Sequence, residues 1–499
     1  MMNTRIISIV ALTLVPGVSA SAAAQQAALP SVPQSLTLAE AVDLARGNNP
    51  LLRQTVNDRS GTAWGVRNAY AAFLPSVNAS GSMSYAGAGE GTFLSQQFIQ
   101  PPATVGSSYS LNLSMSLSGR TLTQPGLARA RHDATEARIA GAEINLESMV
   151  RQQYLAVKQA EAQVGLAELQ LRRNDEFLRL AQARYDVGQN TMLDVRQAEV
   201  ARGQAQVALL QARQAVTVEK LRLFQTMGVL APDDPSVVSL TDSFPVVEPS
   251  WELHELLAEA DRGNPDLGAL RAQASAARAN ERAVKSTWLP TLSFSAGWAG
   301  FTQQFTNSQT LVNQARSSAQ GAVAQCEFAN EFWLNDGKTP TDCSGFALTP
   351  ADEQEILTQN EVFPFDFTSQ PFSARLTVSL PLFTQFSRPT QVAEASAQAD
   401  DAREAVRARQ LQVRTDVSQA YYTLATAYET IGIQENNRVA AGEQLRLATE
   451  RYRVGSGTFF ELLDAQVAAQ RAEADYINAI YAYHRAIAAL ENAVGRPLR

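Results

Sequence analysis

Residues able to do chemistry are few in this chain, and they do not gather. Among its 499 residues are three histidines (His132, His254, His484) and two cysteines (Cys326, Cys343). A zinc-protease helix needs a second histidine one turn after its His-Glu pair, and His254-Glu255 has none. Two cysteines cannot build a cysteine-based zinc site. The run Gly87-Ala88-Gly89-Glu90-Gly91 is followed by neither a helix signal nor a lysine, so it does not cradle phosphate. Asp233-Asp234 lies between prolines and reads as a solvated turn. Nucleophile, base and metal ligands are not assembled; the expectation is a protein that is not an enzyme and carries no cofactor or metal. One pair stands out. Glu461 and Asp464 are three residues apart, on one face of any helix there. Acids that make no bonds can still concentrate cations. The ordinary alternative is that acids in a helix's first turns favour its dipole and stay solvated.

Composition narrows the class. Lys plus Arg total 41 against 49 for Asp plus Glu, a net charge of −8 that argues against a nucleic-acid partner. Beyond the N-terminal segment no window supplies the roughly 18 apolar residues of a membrane helix. That segment carries Arg5, an apolar stretch over 6–15 and small residues over 18–24, with Ala22-Ala23-Ala24 suited to cleavage, so 1–24 reads as a signal peptide. No cysteine follows it to take an acyl anchor. Export places Cys326 and Cys343 in oxidising surroundings, where each has only the other as partner. A disulfide is expected, with two free thiols as the alternative. Its closure would restrict the segment by about 3 kcal/mol in the chain-entropy model.

An internal repeat organises the elements. Leu38, Glu40, Asn49-Pro50 and Leu74-Pro75 recur 215 residues on as Leu253, Glu255, Asn264-Pro265 and Leu289-Pro290. At an offset of 267, Tyr154 matches Tyr421, Arg184-Tyr185-Asp186-Val187-Gly188 matches Arg451-Tyr452-Arg453-Val454-Gly455, and Gly228 matches Gly495. The offset grows because the second half carries an insertion, read as a loop over about 300–370. The first repeat is 25–228, the second 251–495, and proline-rich 229–250 links them. Each repeat holds two long helical stretches, about 124–187 and 190–228, then 389–453 and 457–495. Val150, Val157, Ala160, Val164, Ala167 and Leu171 keep the 3.5-residue period of coiled-coil packing, as do Val417, Ala420, Leu424, Ala427 and Ile431. Four strands are expected at about 75–87, 108–118, 289–299 and 371–383. In the first, Val77, Ala79, Gly81, Met83 and Tyr85 alternate with Ser and Asn. Such strands fit a membrane barrel with a polar lumen, a half-buried soluble sheet being the alternative. Four strands cannot close a pore, so a barrel requires several chains. The fold class is mainly α with a membrane β-barrel, in duplicated halves.

This plan of strand, strand, long helix, turn and helix, made twice in an exported chain, resembles the TolC family of outer-membrane export ducts over essentially the whole mature chain. The pieces that carry the resemblance are Ala183-Arg184-Tyr185-Asp186-Val187-Gly188, Glu450-Arg451-Tyr452-Arg453-Val454-Gly455 and Glu461-Leu462-Leu463-Asp464-Ala465-Gln466, with the Asn-Pro and Leu-Pro pairs. Gly119-Arg120-Thr121 departs from the strand exit seen at Pro381-Leu382-Phe383.

The resemblance implies a homotrimer with a twelve-stranded barrel in the outer membrane of a Gram-negative bacterium and a periplasmic α-helical tunnel. It implies the channel of a tripartite system exporting small toxic compounds such as drugs and metals. The alternatives are the outer-membrane duct of type I protein secretion and, from a different class, a structural coiled-coil surface protein or adhesin. Partners so implied are a periplasmic adaptor (membrane fusion) protein, an inner-membrane pump of RND or ABC type reached through it, and outer-membrane lipid. Val187, Gly188, Gln189, Val454, Gly455 and Ser456 would be the tips on which the adaptor docks. The glycines suit left-handed backbone, and Asn190 or Ser456 could cap the next helix. Asp194, Glu461 and Asp464 would ring the periplasmic entrance, with Tyr452 as a gate link. Gly457 stands where the family can carry an arginine, so one link would be missing and the closed state looser.

Overall fold

The structure is a computed structural model that describes residues 32–89, 92–93, 96–97, 102–189 and 191–498. The expected signal peptide and Asn190 lie outside the described residues. The chain divides into two compact units, one drawn from Met1–Gly61, Arg131–Ala274 and Asp400–Arg499, the other from Thr62–Ala130 and Ser275–Ala399.

The second unit holds the sheet. Strands β1 (Ser76–Ala86), β2 (Thr104–Leu117), β3 (Thr291–Phe305) and β4 (Ser373–Ser379) pair antiparallel in that order. Their register follows the alternation in the sequence, because a period of two sends like side chains to one face. Ser76, Ser80 and Ser82 face Ser114, Ser110 and Ser108, with hydroxyl pairs at 2.8, 2.7 and 2.8 Å. On the other face Leu111 pairs with Trp298, Met115 with Phe294, and Phe294 with Leu376. Trp298, Leu376, Val378, Met83 and Tyr85 are exposed there. Among the described residues β1 and β4 each have one neighbour, so both edges of the sheet are open.

The insertion is not a bare loop. β3 runs on to Phe305, and the segment then folds as α7 (Gln309–Asn335) and α8 (Pro350–Gln359), numbered in chain order with the helices below. Cys326 and Cys343 are joined by a disulfide, and Asn330 brackets the same turn by donating to the Thr341 carbonyl and accepting from its N–H, both at 2.8 Å. Buried Asn360 exchanges two 2.9 Å hydrogen bonds with the backbone of Phe305. Helix formation here answers to local signals that a reading by proline and glycine missed: Thr349 caps α8 in a reciprocal box with Asp352.

The first unit is helical. Its elements come from α1 (Leu38–Asn48), α2 (Pro50–Ala71), α3 (Gly119–Asp186), α4 (Met192–Met227), α5 (Leu253–Gly263), α6 (Pro265–Lys285), α9 (Ser387–Arg453) and α10 (Phe459–Val494), of which α2, α3, α6 and α9 have residues in both units. The repeat is visible in its contacts. Leu146, Val150, Tyr154 and Val157 anchor one core, and Val413, Val417 and Leu424 anchor its counterpart. The Asn-Pro pairs do the same work twice. Asn49 accepts from Leu51 and Leu52 N–H and donates to the Thr226 carbonyl at 2.8 Å; Asn264 accepts from Leu267 N–H and donates to the Ala493 carbonyl at 2.9 Å. Each asparagine thus caps α2 or α6, whose first residue is a proline that needs no N–H partner, and holds the end of α4 or α10. The linker is pinned too, with the buried Lys220 ammonium donating to Val238 O at 2.7 Å and Tyr154 OH to Leu36 O at 2.9 Å beside it. No described helix is long and apolar enough to cross a membrane.

Candidate functional site

The recognisable residues converge where α3 turns into α4 and α9 into α10. Just past the ends of α3 and α9 stands a glycine in the left-handed region, Gly188 at φ 75° and Gly455 at φ 83°. Gly188 N–H donates to Tyr185 O at 2.9 Å and Gln189 N–H to Arg184 O at 2.8 Å; Gly455 donates to Tyr452 O at 3.2 Å and Ser456 to Arg451 O at 2.9 Å. These bonds satisfy the last carbonyls of the helix, and a side chain at either glycine would strain the backbone.

The helices that follow are capped by threonine. Thr191 caps α4 and Thr458 caps α10, each accepting from the N–H three residues on. Ser456 is not a cap: its hydroxyl turns back to Arg451 O at 3.3 Å. The signal was available in the sequence, since a Thr with an acid three residues on marks a helix start.

The acids expected at the entrance differ in state. Asp194 is half-buried and closes a capping box, its carboxylate accepting from Thr191 N–H and hydroxyl, both at 2.9 Å. Glu461, its repeat counterpart, is exposed and lies 3.6 Å from Arg451. Asp464 is exposed one turn further along α10. A single chain makes no ring of them.

Tyr452, expected as a gate link, is 2% exposed and sits in a cluster with Phe177, Ala181, Val195, Phe459 and Leu462. Its ring meets Phe459 at 5.7 Å, and the Arg184 guanidinium carbon lies 4.7 Å above it. Sequence reasoning passed over Arg184, whose motif gave no sign of which copy would be buried. It also passed over Leu193 and Phe460, which add an apolar residue to the expected Val187 and Val454 at matched positions. Val187 and Leu193 at one tip are 68% and 64% exposed, and their counterparts Val454 and Phe460 are 71% and 75% exposed.

No described group of His, Cys, Asp and Glu could hold a metal ion. An apolar-backed, serine-faced sheet with open edges, joined in one chain to paired helical hairpins, defines the outer-membrane channel type of fold. A family model described as outer membrane efflux protein matches residues 41–229 and 349–496, more than half of the chain, and the chain belongs to that family. It is a protein of the outer membrane. The unmatched stretch includes α7 and both cysteines, whereas α8 and Asn360 fall within the matched residues.

The outer membrane efflux protein BepC of Brucella suis biovar 1 is 26% identical over 350 residues, 69% of this chain and 61% of that protein. The chain therefore matches under two thirds of that relative's length. A solved membrane protein from Pseudomonas aeruginosa is 19% identical with a TM-score of 0.68, covering 94% of this chain and 92% of its own. The open state of the Neisseria gonorrhoeae MtrE outer membrane channel is 20% identical with a TM-score of 0.65, covering 93% and 89%. At these identities the likeness shows the fold.

Proposed function

We propose that this chain is the outer-membrane channel of a tripartite efflux system, a homotrimer whose copies share one barrel and one helical tunnel. The carrying observation is the sheet. Its serine and asparagine face suits a wet lumen, its Leu, Phe and Trp face suits lipid, and its two open edges can pair with further copies. Membership of the efflux family and likeness to BepC support small compounds as cargo, drugs or metals among them. The tips fit docking of a periplasmic adaptor: Val187, Leu193, Val454 and Phe460 offer apolar points at both turns. An inner-membrane pump of RND or ABC type then acts through the adaptor. Glu461 and Asp464 line the entrance in this reading.

Two measurements test it. Purified protein in a planar bilayer should give uniform conductance steps, and its mass in detergent should be that of three chains. Monomeric protein without conductance would sink the proposal and favour a spacer or adhesin. Crosslinking from position 187 or 454 in cells should capture the adaptor.

A further inference from the structure

Arg184 is the part of the tip that the channel reading leaves without a task. It is 9% exposed, and among the described residues its Nε and Nη1 are buried with no hydrogen-bond partner. Its guanidinium carbon lies 4.7 Å from the centre of the Tyr452 ring, and Nη2 comes within 3.4 Å of where a Cβ on Gly455 would stand. The repeat counterpart, Arg451, is exposed and has both Glu461 and the Ser456 carbonyl in reach. A guanidinium always carries its charge, and stacking on an aromatic ring returns only part of what hydration gave it. The two bare N–H groups are covered by this chain itself, so no neighbouring copy or docked partner reaches them while the tip stays packed.

We infer that Arg184 loads the packed tip against itself: the packed arrangement holds a charge with two of its three nitrogens lacking acceptors, and separation of the α3 turn from the α9 turn returns that charge to water. The inference rests on the channel reading and deepens it. It makes the packed tip easier to open than its apolar contacts alone would allow, so that a modest push at the exposed Val187 and Val454 suffices. Tyr452 and Phe459 work in the opposite sense, holding the turn closed.

The experiment compares the full chain with Arg184→Met and Arg184→Gln in planar bilayers, counting spontaneous openings with no partner present, and follows thermal unfolding of the same preparations. Both neutral variants should open roughly tenfold less often than wild type. Both should also unfold at a higher temperature, while Arg184→Lys, which keeps the charge, opens at least as often as wild type. More frequent openings in Arg184→Met would identify the stack as a latch and overturn the inference; unchanged openings in both neutral variants overturn it as well. A wild type that never conducts removes the channel reading instead. The unfolding temperatures then decide, and neutral variants no more stable than wild type remove the cost assigned to the buried charge.

Discussion

The two tips carry one motif and use it in opposite ways. At the first, arginine is inside and tyrosine outside; at the second, Tyr452 is buried and Arg451 faces water. The difference traces to one neighbour. Phe459 stands where the first tip has Met192, and its ring packs on Tyr452, whereas Met192 is 44% exposed and Tyr185 37% exposed. With the second tyrosine filling the shared cluster, the first arginine closes over it. A duplicated sequence thus yields a pair of unlike faces, because two equivalent aromatic side chains cannot occupy one space.

The comparison breaks first at the tyrosines. Tyr452→Ala should cost about 3 kcal/mol, as other large-to-small changes in buried aromatic sites do, while Tyr185→Ala should stay within about 0.5 kcal/mol. Thermal unfolding of the two variants in detergent measures this directly. Equal losses would mean that the turns are equivalent in solution and that the inversion is absent.

The glycines give the next largest contrast. Valine at either position is forced to positive φ, which costs about 1–3 kcal/mol. Gly188 has open space around it, but a Cβ at 455 meets Arg184, so Gly455→Val should be the more damaging of the two. Export should fail in both while copies still assemble. Drug susceptibility of cells, read beside assembly on a native gel, checks both halves of the statement.

Much of this was legible in the chain. The strands announced themselves because lipid and water select opposite faces, and the left-handed glycines because few other residues tolerate that backbone. The proline-free stretches and the helical period marked long helical segments, whereas they left α1, α2, α5 and α6 without bounds. What could not be read is how the two repeats meet. Arg184-Tyr185 and Arg451-Tyr452 are the same dipeptide, and only packing decides which member of each goes inside. The helical insertion was missed for another reason: α7 lies in a stretch with no counterpart in the first repeat, and the order there comes from a disulfide and from Asn330 and Asn360, which are not periodic.

The caps sharpen the comparison at smaller scale. Thr191→Ala and Thr458→Ala should each cost about 1 kcal/mol. Asp194→Asn should add a measurable loss, because its carboxylate accepts two bonds from Thr191, whereas Glu461→Gln should change stability by no more than about 0.5 kcal/mol. Hydrogen exchange at the first turns of α4 and α10 resolves the two ends separately. Faster exchange at α10 than at α4 in the Glu461 variant, with the Asp194 variant unchanged, would reverse the assignment.

The smallest effect concerns ions. Asp194 spends its charge on its own helix terminus, within reach of Thr191 N–H, and is half-buried. Glu461 and Asp464 are exposed on α10, and the arginine nearest Glu461 lies 3.6 Å away in water, where such a pair is worth little. If the copies bring these two acids around one narrow entrance, their summed field raises the local cation concentration and fades as salt screens it. The double change Glu461→Gln with Asp464→Asn should then lower the preference for cations over anions roughly twofold at low salt, and much less at 1 M, where the screening length falls to about 3 Å. Asp194→Asn should leave the preference nearly unchanged. Reversal potentials under a salt gradient, with block by a multivalent cation as a second reading, measure both. A preference that survives the double change but falls with Asp194 would mean that the capped acid faces the entrance, and that the first tip, not the second, forms the gate.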